Sequence, residues 1–391
     1  MKKNQAPGIV WLLILLTNLF QSLPAQECTK SKPLPMPADT LANPLTVTLF
    51  QNLAKYARQG IMVGHQDALS YGVNWKGNGE RSDIKDITGA HPAVYGWEIG
   101  GLEMGRNANL DGVPFDEMRQ NIIRAYENGG INTISWHAFN PVTGKDSWAN
   151  TKRPNPTVRK MLPGGPAHQA FRQQLDLVAA FFLSLKGPQG EAIPLVFRPW
   201  HEHSGNWFWW GKMHCSREEY IELYRFTIDY LQQQHQIHQL LIAFSPDVGF
   251  TDEASYLERY PGDDIVDVMG VDDYHSLRTN QPQQLILHLE IISELAAKKN
   301  KVAAFTETGV TDLAERKYFM EELYPCLNHS DKTRSVAWVL FWRNHDEQQH
   351  YVPYQGHPST EDFVRFTSQD IIWLNNELPD FYGRLKMSEK R

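Results

Sequence analysis

Cysteine is scarce: Cys28, Cys215 and Cys326 are the only three in a chain of 391 residues. So few thiols cannot build a disulfide framework, the odd count leaves at least one unpaired within the chain, and no C-x-x-C spacing offers a thiolate metal site. A Cys215–Cys326 bridge is allowed, but nothing in the spacing asks for it. Positive charge is short too, with 38 Lys and Arg against 45 Asp and Glu and a formal charge of −7. That leaves no basic footprint for a phosphate backbone, so the sequence argues against nucleic-acid binding. Beyond the N-terminus no run approaches the roughly 20 apolar residues that a bilayer crossing needs. Internal repeats, long linkers and Gly-rich phosphate turns are missing as well. What is present is a composition of 41% hydrophobic and 21% charged residues, which can bury a large core and is unlike that of a disordered chain.

The first 25 residues have the pattern of an export signal. Lys2 and Lys3 precede the apolar run Ile9–Leu16, and Leu23-Pro24-Ala25 forms a small-residue cleavage site. Ala25-Gln26-Glu27 before Cys28 is a poor match to a lipid-attachment site, so the expectation is a cleaved signal and a periplasmic or extracellular protein. Residues 26–44, with Pro33, Pro35, Pro37 and Pro44, are expected to form an extended leader.

From residue 45 to about residue 385, short apolar and β-branched runs alternate with amphipathic segments. The runs are Ile61–Gln66, Ala93–Gly101, Asn132–Ala138, Ile193–Glu202, Gln239–Asp247, Ile265–His275, Lys301–Gly309 and Val336–Asn344. Helical periodicity marks Phe115–Asn128, Ala167–Lys186, Ser216–Gln234, Gln281–Lys299, Leu313–Leu327 and Thr360–Asn375. Ser216 and Glu219 have the spacing of a capping box. Eight strand–helix units over this length predict an α/β fold, a single (β/α)₈ barrel, in preference to an open doubly wound sheet.

In such a barrel the active site lies at the C-terminal ends of the strands. There the sequence places His65, Trp97, Glu98, Trp136, His137, Arg198, Trp200, His201, Glu202, Asp272, Tyr274, His275, Glu307, Trp342 and Arg343. Two carboxylates, Glu202 in Phe197-Arg-Pro-Trp-His-Glu202 and Glu307 in Ala304-Phe-Thr-Glu-Thr-Gly309, end the fourth and seventh strands, on opposite sides of the mouth. Cleavage of a glycosidic bond needs such a pair, one protonated to release the leaving oxygen and one ionised at the anomeric carbon. The 12 Trp, 15 Tyr and 18 Phe suit this chemistry, because indole faces pack against sugar rings while polar neighbours bond the hydroxyls. Trp97, Trp136, Trp148, Trp200, Trp207, Trp210 and Trp342 are expected near the cleft, whereas Phe208 and Trp209 are expected to pack the loop.

Arg198-Pro-Trp-His-Glu-His-Ser-Gly-Asn-Trp-Phe-Trp-Trp-Gly211 resembles the acid/base signature of glycoside hydrolase family 26, whose commonest members are secreted β-mannanases. Phe305-Thr-Glu-Thr-Gly309 resembles that family's nucleophile strand. The likeness extends from Gly64-His-Gln66 through Ser135-Trp-His137 and Gly270-Val-Asp-Asp-Tyr274 to Phe341-Trp-Arg343. The resemblance implies Glu202 as acid/base and Glu307 as nucleophile of a retaining double displacement on β-mannan, galactomannan or glucomannan. It further implies that His201 hydrogen-bonds around the nucleophile and that His137, Trp207 and Tyr274 hold the sugar at the cleavage point. Trp148 would stack on substrate, Trp342 would lie on the floor, and Arg343 would sit at more distant subsites. Asp272 and Arg198 complete the expected binding set, and no cofactor or metal is implied.

Three alternatives stay open. Within the family the substrate could be mixed-linkage β-glucan or β-1,3-xylan, or mannobiose could be released from chain ends. His65, His137, His201, Asp272 and His275 would suit a metal-dependent hydrolase, but strand 1 lacks a second His and no compact ligand cluster is apparent. A sugar-binding protein without catalysis would not need both carboxylates in intact motifs.

Overall fold

A computed structural model describes Met1 and residues 34–384, apart from residues 150, 152, 312 and 314–316. The proposed signal segment and Cys28 lie outside the described residues. Each of the eight apolar runs contains a strand: β1 (Ile61–Gln66), β2 (Val94–Glu98), β3 (Ile131–Trp136), β4 (Leu195–Pro199), β5 (Leu240–Phe244), β6 (Val268–Asp273), β7 (Val302–Thr308) and β8 (Val336–Phe341). All of their residues are buried, as in a parallel sheet covered on both faces. Neighbours pair in parallel around the ring, and β8 pairs back onto β1 at Met62↔Trp338 to His65↔Phe341, closing the (β/α)₈ barrel. The described residues from Pro35 onward form one compact unit.

Helix α1 (Pro44–Tyr56) leads into β1. The larger outer helices are α2 (Phe115–Glu127), α3 (His168–Ser184), α4 (Arg217–Asp229) and α5 (Pro282–Lys299), each beginning within a residue or so of its sequence expectation. The Ser216–Glu219 capping box forms at the start of α4. Two segments differ from the helical expectation. Within Leu313–Leu327 the described chain makes a wide turn over Tyr318–Leu323 and then only Tyr324–Leu327, where Pro325 supplies no N–H for a regular helical ladder. Over Thr360–Asn375 the helix ends at Thr367, and Ile372–Trp373 instead pairs with Ile61–Met62 at the start of β1.

At the opposite end from the strand C-termini, the described part of the leader is bonded to the barrel. Asp267 accepts from the Ala38 N–H at 2.6 Å and the Ile242 N–H at 2.8 Å, and Asp39 pairs with His238 at 2.8 Å. Asp267→Ala would leave two backbone donors without their acceptor, one of them in the middle of β5. A loss of about 2–3 kcal/mol is expected, read as a lowered midpoint in urea with an unchanged slope.

Cys215 and Cys326 are both buried and free, so the allowed bridge between them does not form. Their stabilising contribution is packing. No described helix is long and apolar enough to cross a membrane.

Candidate active site

The β6–β7 register shifts between Val271 and Asp272, so that Val271 faces Phe305 but Asp272 faces Glu307. This local irregularity re-aims the end of β7 and brings two carboxylates side by side. Arg198, projecting from β4, joins them: one guanidinium nitrogen donates to Asp272 at 2.6 Å and the other donates to Glu307. Asp272 is further held by Thr306 Oγ1 at 2.7 Å and Ser245 Oγ at 3.1 Å. The opposing carboxylates hold Arg198 firmly charged against the cost of its burial. Tyr274 donates its hydroxyl to the other oxygen of Glu307 at 2.8 Å. Burial and the neighbouring Glu307 raise the Tyr274 pKa well above its ordinary value, so the phenol remains a neutral donor.

Glu202 follows β4 by way of a strained turn. Trp200 and Glu202 both lie at positive φ, 54° and 52°, a region that non-glycine residues occupy only where surrounding structure holds them. Here the Glu202 N–H donates to Ser245 O at 2.9 Å, and Trp200 is clamped by its indole N–H to Thr227 at 3.0 Å. Among the described residues the Glu202 carboxylate accepts one hydrogen bond, from Trp207 Nε1 at 2.7 Å. Burial, followed by the charges of Glu307 and Asp272, raises its pKa well above that of an ordinary carboxyl. Burial thus favours the neutral form of Glu202, whereas Glu307 accepts from a guanidinium and a phenol.

A cleft of about 420 Å³ opens over these groups. Glu202, Glu307, His137, Trp148, Tyr274, Trp342 and Arg343 line it, and Trp207 stands beside it through its bond to Glu202. Arg198, His201 and Asp272 are at most 3% exposed and do not line it; they act from beneath. His201 departs from its expected place. Its Nε2 meets His137 Nε2 at 3.2 Å, with no bond to Glu307, because the ring lies under the β3 end and Trp210 holds its carbonyl at 2.8 Å. Burial opposes charge on His137, but Glu98, 2.7 Å from Nδ1, raises its pKa; burial and Arg198 lower that of His201. These opposite directions favour charge on His137 over charge on His201.

The aromatic surplus is also redistributed. Trp97, Trp136, Trp200 and Trp210 are fully buried and pack the barrel and the loop after β4, together with Trp209 as expected. They lie below the cleft floor, and the indole N–H groups of Trp97, Trp200, Trp209 and Trp210 donate to Asn132, Thr227, Ala138 O and His201 O. Trp148 is different: it is 53% exposed, tilted against Phe208 with ring centres 5.4 Å apart. Phe208 both packs the loop and reaches the cleft. Among the described residues no group of three or more His, Cys, Asp or Glu could hold a metal ion.

Against this geometry, the sequence profile of glycosyl hydrolase family 26 matches residues 39–351. The chain belongs to this family. A mannan endo-1,4-beta-mannosidase of Bifidobacterium adolescentis is 32% identical over 363 residues, covering 85% of this chain and 35% of that protein. One of Bacillus subtilis is 28% identical over 239 residues, 59% of this chain and 61% of that protein, so the chain spans only part of these relatives' lengths. Among solved structures, a family 26 beta-mannanase from Bacteroides ovatus aligns with TM-score 0.83 and 40% identity over 89% of this chain and 100% of that one. A modular endo-beta-1,4-mannanase from Cellulomonas fimi aligns with TM-score 0.83 and 33% identity over 90% and 80%.

In this family 26 cleft and beneath it lie further residues whose role the sequence does not indicate. Asp111 pairs with Arg343 at 3.0 Å at one end, while Arg278 and Tyr351 stand near Glu307. Glu98, at the end of β2, accepts from the His137 and Gly100 N–H groups at 2.8 and 2.6 Å and from Ser135 at 2.8 Å. Its strand-end position was the only signal; the others come from loops without a periodic pattern.

Proposed function

We propose that the chain is an exported, retaining endo-β-1,4-mannosidase acting on mannan, galactomannan or glucomannan. The observation that carries this reading is the pair Glu202 and Glu307 in one cleft, the first with its pKa raised by burial and the second held by Arg198 and Tyr274. The choice of mannan is supported by family membership and by what the related enzymes are named for. Export is supported by Lys2, Lys3, the Ile9–Leu16 run and the Leu23-Pro24-Ala25 site.

Glu202 gives its proton to the glycosidic oxygen while a Glu307 oxygen attacks the anomeric carbon, breaking the bond and forming a glycosyl ester. Glu307 has then lost its charge, which lowers the cost of ionising Glu202. Glu202 next takes a proton from water, the hydroxide oxygen displaces Glu307, and both carboxyls return to their starting states. His137, Tyr274 and Trp342 surround the sugar at the cleavage point, Trp207 orients Glu202, and Trp148 offers an open indole face to a neighbouring ring. Arg343, fixed by Asp111, provides donors further along the cleft.

Reducing-sugar release from mannan, galactomannan, glucomannan, lichenan and β-1,3-xylan tests the substrate, and proton NMR of the first product tests the stereochemistry. The expected result is hydrolysis of the three mannans with a β-configured initial product. Activity on lichenan or xylan without activity on mannan would overturn the substrate, and an α-configured product would overturn the double displacement. Early release of mannobiose alone would replace internal cleavage by cleavage from chain ends.

A further inference from the structure

Arg278 has no role in the chemistry described above, yet it lines the cleft beside Tyr274, Glu307 and Tyr351. It is exposed, and among the described residues no carboxylate pairs with its guanidinium and it donates no hydrogen bond. Its backbone, in contrast, is tied down. Thr279, Asn280 and Gln281 N–H groups bond back to His275, Leu277 and Ser276 carbonyls at 2.9, 3.2 and 2.7 Å. The start of that turn is anchored by Asp273, which accepts from the Ser276 N–H at 2.8 Å and pairs with His288 at 2.9 Å. The turn thus carries a cation that has no partner among the described residues, on a backbone fixed at the cleft wall.

Next to it is an apolar shelf. Val310 is 3% exposed at the cleft surface, and Tyr351 lies on Gly309, where an added Cβ would come within 2.4 Å of the ring. Gly309 has φ 148°, so a side chain there would be both clashing and strained. Tyr351 is in turn edge-on to Tyr274, with centres 5.9 Å apart.

A guanidinium only donates hydrogen bonds, whereas a sugar hydroxyl both donates and accepts. A hydroxyl oxygen can accept from the cation, but the group that also suits an apolar shelf joins an acceptor oxygen to a small apolar end. An O-acetyl ester has both: a carbonyl for Arg278 and a methyl for Val310 and Tyr351. We propose that Arg278 recognises the ester carbonyl of O-acetylated mannan chains, with the methyl on the Val310–Tyr351 shelf. The inference rests on the mannanase reading.

The test compares kcat/KM of wild type, Arg278→Ala and Arg278→Lys on natively acetylated glucomannan and on the same chain after alkaline deacetylation. The ratio of acetylated to deacetylated activity is expected to fall about fivefold in Arg278→Ala, the scale of one typical net hydrogen bond, and to fall less in Arg278→Lys. An unchanged ratio, whether both activities drop together or neither does, overturns the ester contact alone. Wild-type enzyme without activity on either chain overturns the mannanase reading and, with it, this inference.

Discussion

Glu307→Gln is expected to lower mannan hydrolysis by roughly ten-thousandfold or more, the scale seen when a nucleophile that acts as part of a unit is removed. Glutamine keeps the volume, its single carbonyl oxygen can accept from Arg198 and its amide N–H can donate to the Tyr274 hydroxyl, so the barrel should fold. What disappears is the charge at the anomeric carbon and the oxygen that forms the ester. Arg198 would also retain only Asp272 as a close anionic partner. The measurement is kcat/KM on a soluble mannan, alongside mass spectrometry of wild type inactivated by a fluorinated mannoside, which should place the covalent sugar on the peptide containing Glu307. Residual activity above about one per cent of wild type would remove Glu307 from the nucleophile role.

Glu202→Gln should cost about a hundred- to ten-thousandfold on polysaccharide, the contribution typical of a positioned acid or base. The distinguishing feature is its dependence on the leaving group. With a dinitrophenyl mannobioside, whose phenolate departs without a proton, the first step should be nearly unaffected and the glycosyl ester should accumulate as a burst. The pH profile gives an independent sign. Because burial beside Glu307 and Asp272 raises the Glu202 pKa, wild-type activity persists above the pH at which an ordinary carboxyl would ionise, then falls as pH rises through that pKa. In Glu202→Gln this alkaline fall should vanish from the residual activity. An unchanged alkaline limb would mean that another group donates the proton.

Both carboxylates were legible in the sequence for a simple reason. A β-strand buried on both faces is a short apolar run, so a Glu, Arg or Asp directly after it marks the mouth of a parallel barrel without any knowledge of packing. Arg198, Asp272 and Tyr274 were found in the same way. The depth of each side chain was not legible. Trp200 and Trp210 follow β4 in the same stretch as Glu202 and Trp207, but the turn at positive φ and the return of the loop over α4 rotate them inward. His201 was expected at the nucleophile and instead bonds His137, since one residue's difference in a strained turn changes the direction of the ring.

The sequence by itself determined the alternation that closes the barrel, the family, and which two carboxyl groups face its mouth, because strand burial and the order of strands around the ring are local and topological properties. Only the tertiary structure showed how burial and neighbouring charge act on Glu202, which tryptophans line the cleft, and where Arg278 and Tyr351 stand relative to Glu307. Those outcomes depend on desolvation and on through-space charge between residues as far apart in the chain as Arg198 and Glu307. Proximity of that kind leaves no periodic trace in the sequence.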